Sequence, residues 1–83
     1  MPRIVTLLEA HVPDDRQPDL QAAYSAAADD GFPPGLVRST LLQDTNDPTL
    51  WRIETLWESR ESLVAMRGTG TPRGILIFRA AGA

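Results

Sequence analysis

The chain has 83 residues, a formal net charge of −3 and no cysteine. A chain of this length forms one small domain, so we expect residues 1–83 to fold as a single unit. The lack of cysteine excludes a disulfide framework, a zinc–cysteine site and a thiol nucleophile. The acidic balance argues against nucleic-acid binding. No apolar run approaches the roughly 20 residues of a membrane span, so we expect a cytoplasmic protein.

The first third of the chain predicts a strand followed by a helix. Residues 3–12 read as a strand with apolar residues on both alternating faces. The period then changes, and a helix is predicted over residues 17–30, because Pro18 is tolerated only in a first turn and Gly31 suits a helix end. Its apolar stripe has helical spacing and comprises Leu20, Ala23, Tyr24 and Ala27.

Two strands joined by a turn are predicted in the middle of the chain, over Leu36–Gln43 and Leu50–Trp57. Residues 44–49 between them have the composition of a turn, so the two strands should form a hairpin. Alternation divides the second strand into two faces. One face carries Trp51, Ile53, Thr55 and Trp57, and the other carries Arg52, Glu54, Leu56 and Glu58.

The last third of the chain predicts a short helix over residues 61–67, capped by Ser59, and then a strand. Residues 68–72 end the helix and lack the Gly-Lys-Ser/Thr ending of a phosphate loop. Residues 74–80 alternate apolar side chains on both faces and predict the final strand. The element order β-α-β-β-α-β is typical of the ferredoxin-like α+β fold, with a four-stranded antiparallel sheet.

Two helices cover one face of such a sheet and leave the other face open. The open face would carry Leu56 beside Arg52, Glu54 and Arg38, and a mixed patch of this size is normally covered by a partner. We therefore expect a homodimer in which two sheets close an α+β barrel. The charged side chains could hold an anion in that barrel, but cross-strand or inter-subunit pairing is the favoured interpretation.

Two segments of the chain carry a family resemblance. Residues 51–63, and above all Trp57-Glu58-Ser59, resemble the third strand and second helix of the antibiotic biosynthesis monooxygenase (ABM) family, whose members form dimeric α+β barrels. Pro34-Gly35-Leu36-Val37 resembles the turn that opens the family's second strand. The resemblance implies oxidation of aromatic polyketides by molecular oxygen, and therefore no cofactor and no metal.

Polar positions implied by the resemblance are missing from this chain. Where quinone-forming members carry an asparagine, a tyrosine and a histidine, this chain has Ile53, Leu63 and Leu42. Haem-degrading members need a histidine in the second helix, and residues 58–68 contain none. They also need an asparagine in the first strand, and residues 3–12 contain none. Haem degradation is therefore disfavoured, and it stays open whether the chain is catalytic at all.

The residues predicted to contact a ligand are Trp57, Tyr24, Ile53, Leu63, Met66 and Phe78. Trp57 comes first because an indole can stack on a planar aromatic molecule. For Trp57, Tyr24, Met66 and Phe78 the competing interpretation is packing in the core.

Two polar residues are candidates for catalysis. His11 titrates near neutrality and could take a phenolic proton, or it is a surface histidine. Thr55 would place a hydroxyl in an apolar space, or it is an ordinary strand threonine.

Three functions follow from these observations. The first is a cofactor-free monooxygenase for a small polyketide-like phenol, whose apolar pocket desolvates an anion that itself reduces oxygen. The second is a non-catalytic ligand-binding or accessory domain, which the missing polar positions favour. The third is a cyclase or isomerase acting on a poly-β-ketone chain.

Overall fold

The computed structural model describes residues 2–68 and 70–83. Within them, three strands form one antiparallel sheet in the order β1-β3-β2, and three helices cover one face. The strands are β1 (Ile4–His11), β2 (Leu36–Gln43) and β3 (Leu50–Trp57), and the helices are α1 (Gln17–Asp29), α2 (Arg60–Arg67) and α3 (Arg73–Ala80). None of the described helices is long and apolar enough to cross a membrane.

The central strand β3 has the two faces that its alternation predicts. Its residues Trp51, Ile53, Thr55 and Trp57 are buried on the face under the helices, each at most 9% exposed. The residues between them are half-buried on the open face. β1 pairs with β3 along its whole length, from Ile4 opposite Trp57 to His11 opposite Leu50. The hairpin of β2 and β3 is confirmed with the predicted bounds.

Both predicted helix ends that depend on small residues are confirmed. Gly31 follows α1 with a φ of +93°, in the left-handed region that glycine tolerates best. Ser59 caps α2, because its hydroxyl accepts a hydrogen bond from the Ser62 amide at 3.2 Å. α2 begins one residue earlier than predicted, at Arg60, and α1 ends one residue earlier, at Asp29.

The strand predicted over residues 74–80 is wrong, since the structure has helix α3 there. A run of four apolar residues, 75–78, fits either period on its own. Helical spacing decides in favour of the helix, because it puts Ile77, Phe78 and Ala81 on one stripe in the packed core. The sheet therefore has three described strands instead of four. Within the predicted turn over residues 68–72, Thr69 lies outside the described residues.

The packed core occupies one end of the space between the sheet and the helices. Its largest side chain is Trp51, at the start of β3, and α1 and α3 contact each other above it. The buried members of the cluster are Val12, Leu20, Trp51, Ile53, Ile77, Phe78 and Ala81. The other end of the same space, near Trp57, is not filled in this way.

Candidate functional site

A cavity of about 380 Å³ lies between the sheet and the helices, at the end opposite Trp51. Its floor is the helix-covered face of the sheet, and all three helices contribute to its walls. Most of the lining is apolar, and the volume lies at the lower end of the range found for small-molecule sites. The cavity is therefore the candidate functional site.

Trp57 forms part of the cavity wall and has its indole fixed in place. The residue is only 3% exposed, yet it is not part of the packed cluster around Trp51. Its Nε1–H donates a hydrogen bond to the Thr6 hydroxyl at 3.2 Å. The indole N–H is thus satisfied within the protein, and the apolar ring is what a ligand would meet.

The structure brings five of the six predicted ligand-contacting residues to the cavity. Four of them join Trp57 in the lining: Tyr24, Ile53, Leu63 and Met66. Phe78 lies instead in the packed core, at 5% exposure, and is not part of the lining. As ligand contacts, all six residues stay predictions.

Four hydroxyl groups cross the cavity in a row that runs from strand to strand. Thr6, Thr55 and Ser39 are paired neighbours on β1, β3 and β2, and all three line the cavity. The Tyr24 hydroxyl on α1 donates to the Ser39 hydroxyl at 2.9 Å and extends the row. We call these four residues the hydroxyl row. It is the polar stripe in an otherwise mostly apolar floor.

Thr55, in the middle of the hydroxyl row, has a free hydroxyl. The residue is 9% exposed, and it makes no hydrogen bond within the described residues. The hydroxyl is open to the cavity, because among the described residues the buried side-chain polar atom without a partner is Trp51 Nε1 and not the Thr55 oxygen. A water or a ligand in the cavity can therefore give it a hydrogen bond. Thr55 is therefore the position on the cavity floor where a side-chain polar atom has no partner within the described residues.

Two positions at which the resemblance implies a polar residue lie in the cavity and are aliphatic here. Ile53 and Leu63 both line it, whereas Leu42 lies on the open face of the sheet, 38% exposed. Among the described residues, no His, Asp or Glu lines the cavity. No group of three or more of the described His, Asp and Glu residues is close enough to hold a metal ion.

The second catalytic candidate, His11, lies away from the cavity. It ends β1, is exposed, and its Nδ1 lies 3.1 Å from the Thr49 hydroxyl and 3.5 Å from an Asp47 oxygen. Thr49 in turn donates to Asp47 from its hydroxyl and its amide, and these bonds lower the pKa of the Asp47 carboxyl. The structure thus places His11 at the end of β1, against the turn between β2 and β3.

Of the charged residues predicted on the open face, Arg52 makes ion pairs, which confirms the favoured interpretation for that residue. Its Nε donates to Glu9 on the neighbouring strand at 2.9 Å, and its Nη1 lies 3.4 Å from Asp44. The bond to Glu9 is the main cause that raises the pKa of the Arg52 guanidinium. Arg38 stands opposite Leu56 on β3, and therefore on this same face.

Several cavity residues were not found by sequence reasoning. Thr6 and Ser39 join Thr55 only through the strand register, which no single strand reveals. Gly74 was assigned to a strand and Arg73 to no element, whereas the first turn of α3 brings both to the cavity. A useful signal was present in Pro72, because proline commonly stands at the start of a helix.

The order of elements, the antiparallel sheet and the helices on one face define a ferredoxin-like α+β domain. The family model described as "Antibiotic biosynthesis monooxygenase" matches residues 3–72. The chain therefore belongs to the antibiotic biosynthesis monooxygenase family, as the residues around Trp57 predict.

Solved structures share this fold at low sequence identity. A candidate antibiotic biosynthesis monooxygenase from Nitrosomonas europaea is 21% identical, with a TM-score of 0.72 over 96% of this chain and 76% of that one. A conserved protein from Methanosarcina mazei Go1 is 13% identical, with a TM-score of 0.74 over 96% and 78%. A candidate family member from Chloroflexus aurantiacus J-10-fl is 20% identical, with a TM-score of 0.67 over the same shares. No curated protein matches the chain.

Proposed function

We propose that this chain binds a small, planar, polyketide-like aromatic molecule in the cavity beside Trp57 and promotes its oxidation by molecular oxygen without a cofactor. The observation that carries the proposal is the cavity itself. Its apolar floor and walls present an indole ring, and the unpaired hydroxyl of Thr55, which is open to the cavity, is available to a ligand. Apolar walls with few polar groups are the usual design of a small-molecule site.

The chemistry needs little from the protein. An anthrone-type substrate loses a proton and becomes an electron-rich anion, which reduces O₂ itself. The ring carbon then loses its two hydrogens and gains one oxygen atom, and the second oxygen atom leaves as water. The hydroxyls of Thr55, Thr6 and Ser39 would stabilise the anion by donating hydrogen bonds to its oxygen, while the apolar walls exclude water.

A second candidate function is ligand binding without turnover. It is favoured by the lack of any His, Asp or Glu in the cavity lining among the described residues. A general base within hydrogen-bond reach of the substrate usually contributes to such a proton transfer. Without one, oxidation would depend on the acidity of the substrate itself.

We further propose that the chain acts as a homodimer joined through the open face of the sheet. This face exposes Val5, Leu7 and Leu42, at 55%, 53% and 38% exposure, beside the half-buried Leu56. Apolar side chains grouped on one face of a three-stranded sheet are typical of a surface that a second copy covers.

Oxygen uptake decides between oxidation and binding alone. Dissolved oxygen is followed with an anthrone in chelator-treated, flavin-free buffer, for wild type, Trp57→Phe and the control Trp51→Phe. We expect uptake above background that falls in Trp57→Phe and persists in Trp51→Phe, because only the first substitution alters the cavity wall. Calorimetric binding without any uptake would establish the second candidate instead.

Light scattering tests the dimer. We expect a mass of about 18 kDa, twice the 9.1 kDa of one chain. Leu56→Lys should lower this mass, because the dimer would bury an unpaired charge. The control is Val64→Lys, on an exposed position of α2 at 59% exposure, which should leave the mass unchanged. A wild-type mass of one chain would contradict the proposal.

A further inference from the structure

The charges around the cavity all have one sign. Two arginines, Arg67 and Arg73, line it, and no carboxylate does so among the described residues. This contrasts with the chain as a whole, which has eleven acidic and eight basic residues. The positive lining is therefore a local feature that the overall composition opposes.

The two arginines differ in how they are held. Arg73 Nη1 donates to the backbone carbonyls of Ala27 and Gly31 at the end of α1, so its guanidinium is fixed at the rim. The outer side of Arg73 faces a shallow depression that includes Asp30, but the two form no ion pair. Arg67 ends α2, is exposed, and makes no hydrogen bond or ion pair within the described residues.

The first turn of α3 adds to this positive rim. No side chain caps the turn, and Pro72, Arg73 and Gly74 all line the cavity. Uncapped amides at a helix start attract negative charge. The turn lies close to β1: a Cβ added to Gly74 would overlap the side chain of Leu8, which lines the cavity floor. An added Cβ would require the tip of the Leu8 side chain to move.

Thr55 points independently to a ligand in the same cavity. It is nine-tenths buried, its side chain lies on the cavity face of β3, and its hydroxyl has no partner within the described residues. A ligand that reaches the floor can give this hydroxyl a hydrogen bond while another group remains at the rim. The cavity thus offers one neutral polar contact and one positive region.

We propose that the cavity selects aromatic anions, with the ring on the apolar floor, a ring oxygen at Thr55, and a carboxylate or similar anionic group at the rim of Arg67, Arg73 and the first turn of α3. This deepens the proposed function, because it rests on the binding of a small aromatic molecule and adds the charge of that molecule. An uncapped helix start and an exposed arginine each contribute about two- to fivefold in affinity for one negative charge.

A matched pair of probes tests the selection. 6-Hydroxy-2-naphthoate and its methyl ester share the ring and the hydroxyl, and differ in charge. Binding is measured by titration calorimetry at about 20 mM and about 500 mM salt. We expect the acid to bind roughly tenfold more tightly than the ester at low salt, with the ratio falling towards one at high salt.

Variants separate the rim from the rest of the chain. Arg67→Gln should lower the acid-to-ester ratio about threefold. Arg60→Gln removes the same charge from the other end of α2, outside the cavity, and should leave the ratio unchanged. Thr55→Val should weaken acid and ester alike, since both keep the ring hydroxyl.

Each contrary outcome has a distinct meaning. Equal binding of acid and ester, or an equal effect of Arg60→Gln and Arg67→Gln, would overturn the inference and leave the proposed ligand binding intact. Binding of neither probe would overturn the proposed aromatic ligand and the inference with it. Oxygen uptake with anthrone alongside equal binding of the two probes would uphold the activity and reject the selection for charge.

Discussion

The two tryptophans of β3 lie on the same face of the sheet and have different surroundings. Trp51 and Trp57 are buried to nearly the same degree, at 6% and 3% exposure. Trp51 belongs to the packed cluster with Leu20 and Phe78, whereas Trp57 forms the wall of a cavity. Burial alone therefore does not distinguish a core residue from a site residue. The distinction is whether the ring faces packed side chains, as for Trp51, or a cavity, as for Trp57.

Their indole N–H groups also differ, because Trp57 beside the cavity has a hydrogen-bond partner and Trp51 in the packed core has none within the described residues. The Nε1 of Trp57 donates to Thr6, although the ring borders an open space. The Nε1 of Trp51 is buried in the packed end and has no hydrogen-bond partner within the described residues. The hollow end of the domain thus satisfies its tryptophan donor, and the packed end leaves one unpaired, which costs free energy.

The largest expected effect is the loss of stability when each tryptophan is replaced by alanine, which compares the packed end around Trp51 with the cavity end around Trp57. Trp51→Ala should lower the free energy of unfolding by about 3–5 kcal/mol, because it leaves a new cavity in a packed cluster. Trp57→Ala should cost only about half as much, since its ring already borders open space, and should abolish ligand binding. Urea denaturation measures both. Equal losses would mean that Trp57 is a core residue like Trp51.

The next effect tests how α2, which forms part of the cavity wall, is fixed against the start of β2. Gly35 has a φ of +85°, and a Cβ there would overlap the Ser62 side chain of α2. Gly35→Ala should cost about 2–4 kcal/mol from backbone strain and overpacking, and should weaken ligand binding by shifting α2.

Gly31→Ala is the matched control for Gly35→Ala. Its φ of +93° carries the same backbone strain, but nothing lies within 4 Å of the added carbon. It should cost only about 1–2 kcal/mol and leave binding intact. Equal costs for the two variants would show that α2 yields to the added methyl group.

Replacing each tryptophan by phenylalanine should reverse the order of stability loss expected for the alanine variants. Trp57→Phe loses a hydrogen bond, whereas Trp51→Phe removes a donor that has no partner. Trp51→Phe should therefore be the less destabilising of the two, by about 1 kcal/mol, although the atoms removed are the same. Urea denaturation again measures both variants. A larger loss for Trp51→Phe would mean that the cavity it leaves in the packed cluster outweighs the removal of the unpaired donor.

The sequence predicts the two faces of β3 and the hairpin because alternation is a local property. The four residues of β3 with buried side chains are those that share one face in the pattern, and the strand bounds agree. Residues 75–78 show the limit of this reasoning. Four consecutive apolar residues satisfy both periods, so contact with α1 decides the conformation.

The cavity depends on relations that no single segment contains. Tyr24, Ile53, Leu63 and Met66 could be proposed because each lies on an apolar face or beside the family motif. The hydroxyl row needs the register of three strands. The positive rim needs α3 to be a helix, and the volume of the cavity needs the packing of all the elements. These features follow from tertiary structure, and they carry the chemistry.

The smallest effect concerns the turn that closes the packed end, beside Trp51. Asp44 accepts hydrogen bonds from the Asp47 and Asn46 amides, at 2.8 and 2.9 Å, and these bonds lower its pKa below the ordinary 3.8. A carboxyl whose pKa is lowered in the folded state stabilises that state above the unfolded pKa. Its contribution is lost as the pH falls through the folded value.

Asp44→Asn should therefore be less stable than wild type at neutral pH, and the difference should shrink as the pH drops below 3.8. The asparagine keeps an oxygen for the two amides, so the change reports the charge. Asp15→Asn is the matched control for the loss of one acidic charge, because the Asp15 carboxyl makes no hydrogen bond within the described residues. Thermal unfolding at several pH values measures both. Ligand binding should not change in either variant, because this turn lies at the end of the sheet that the cavity does not reach.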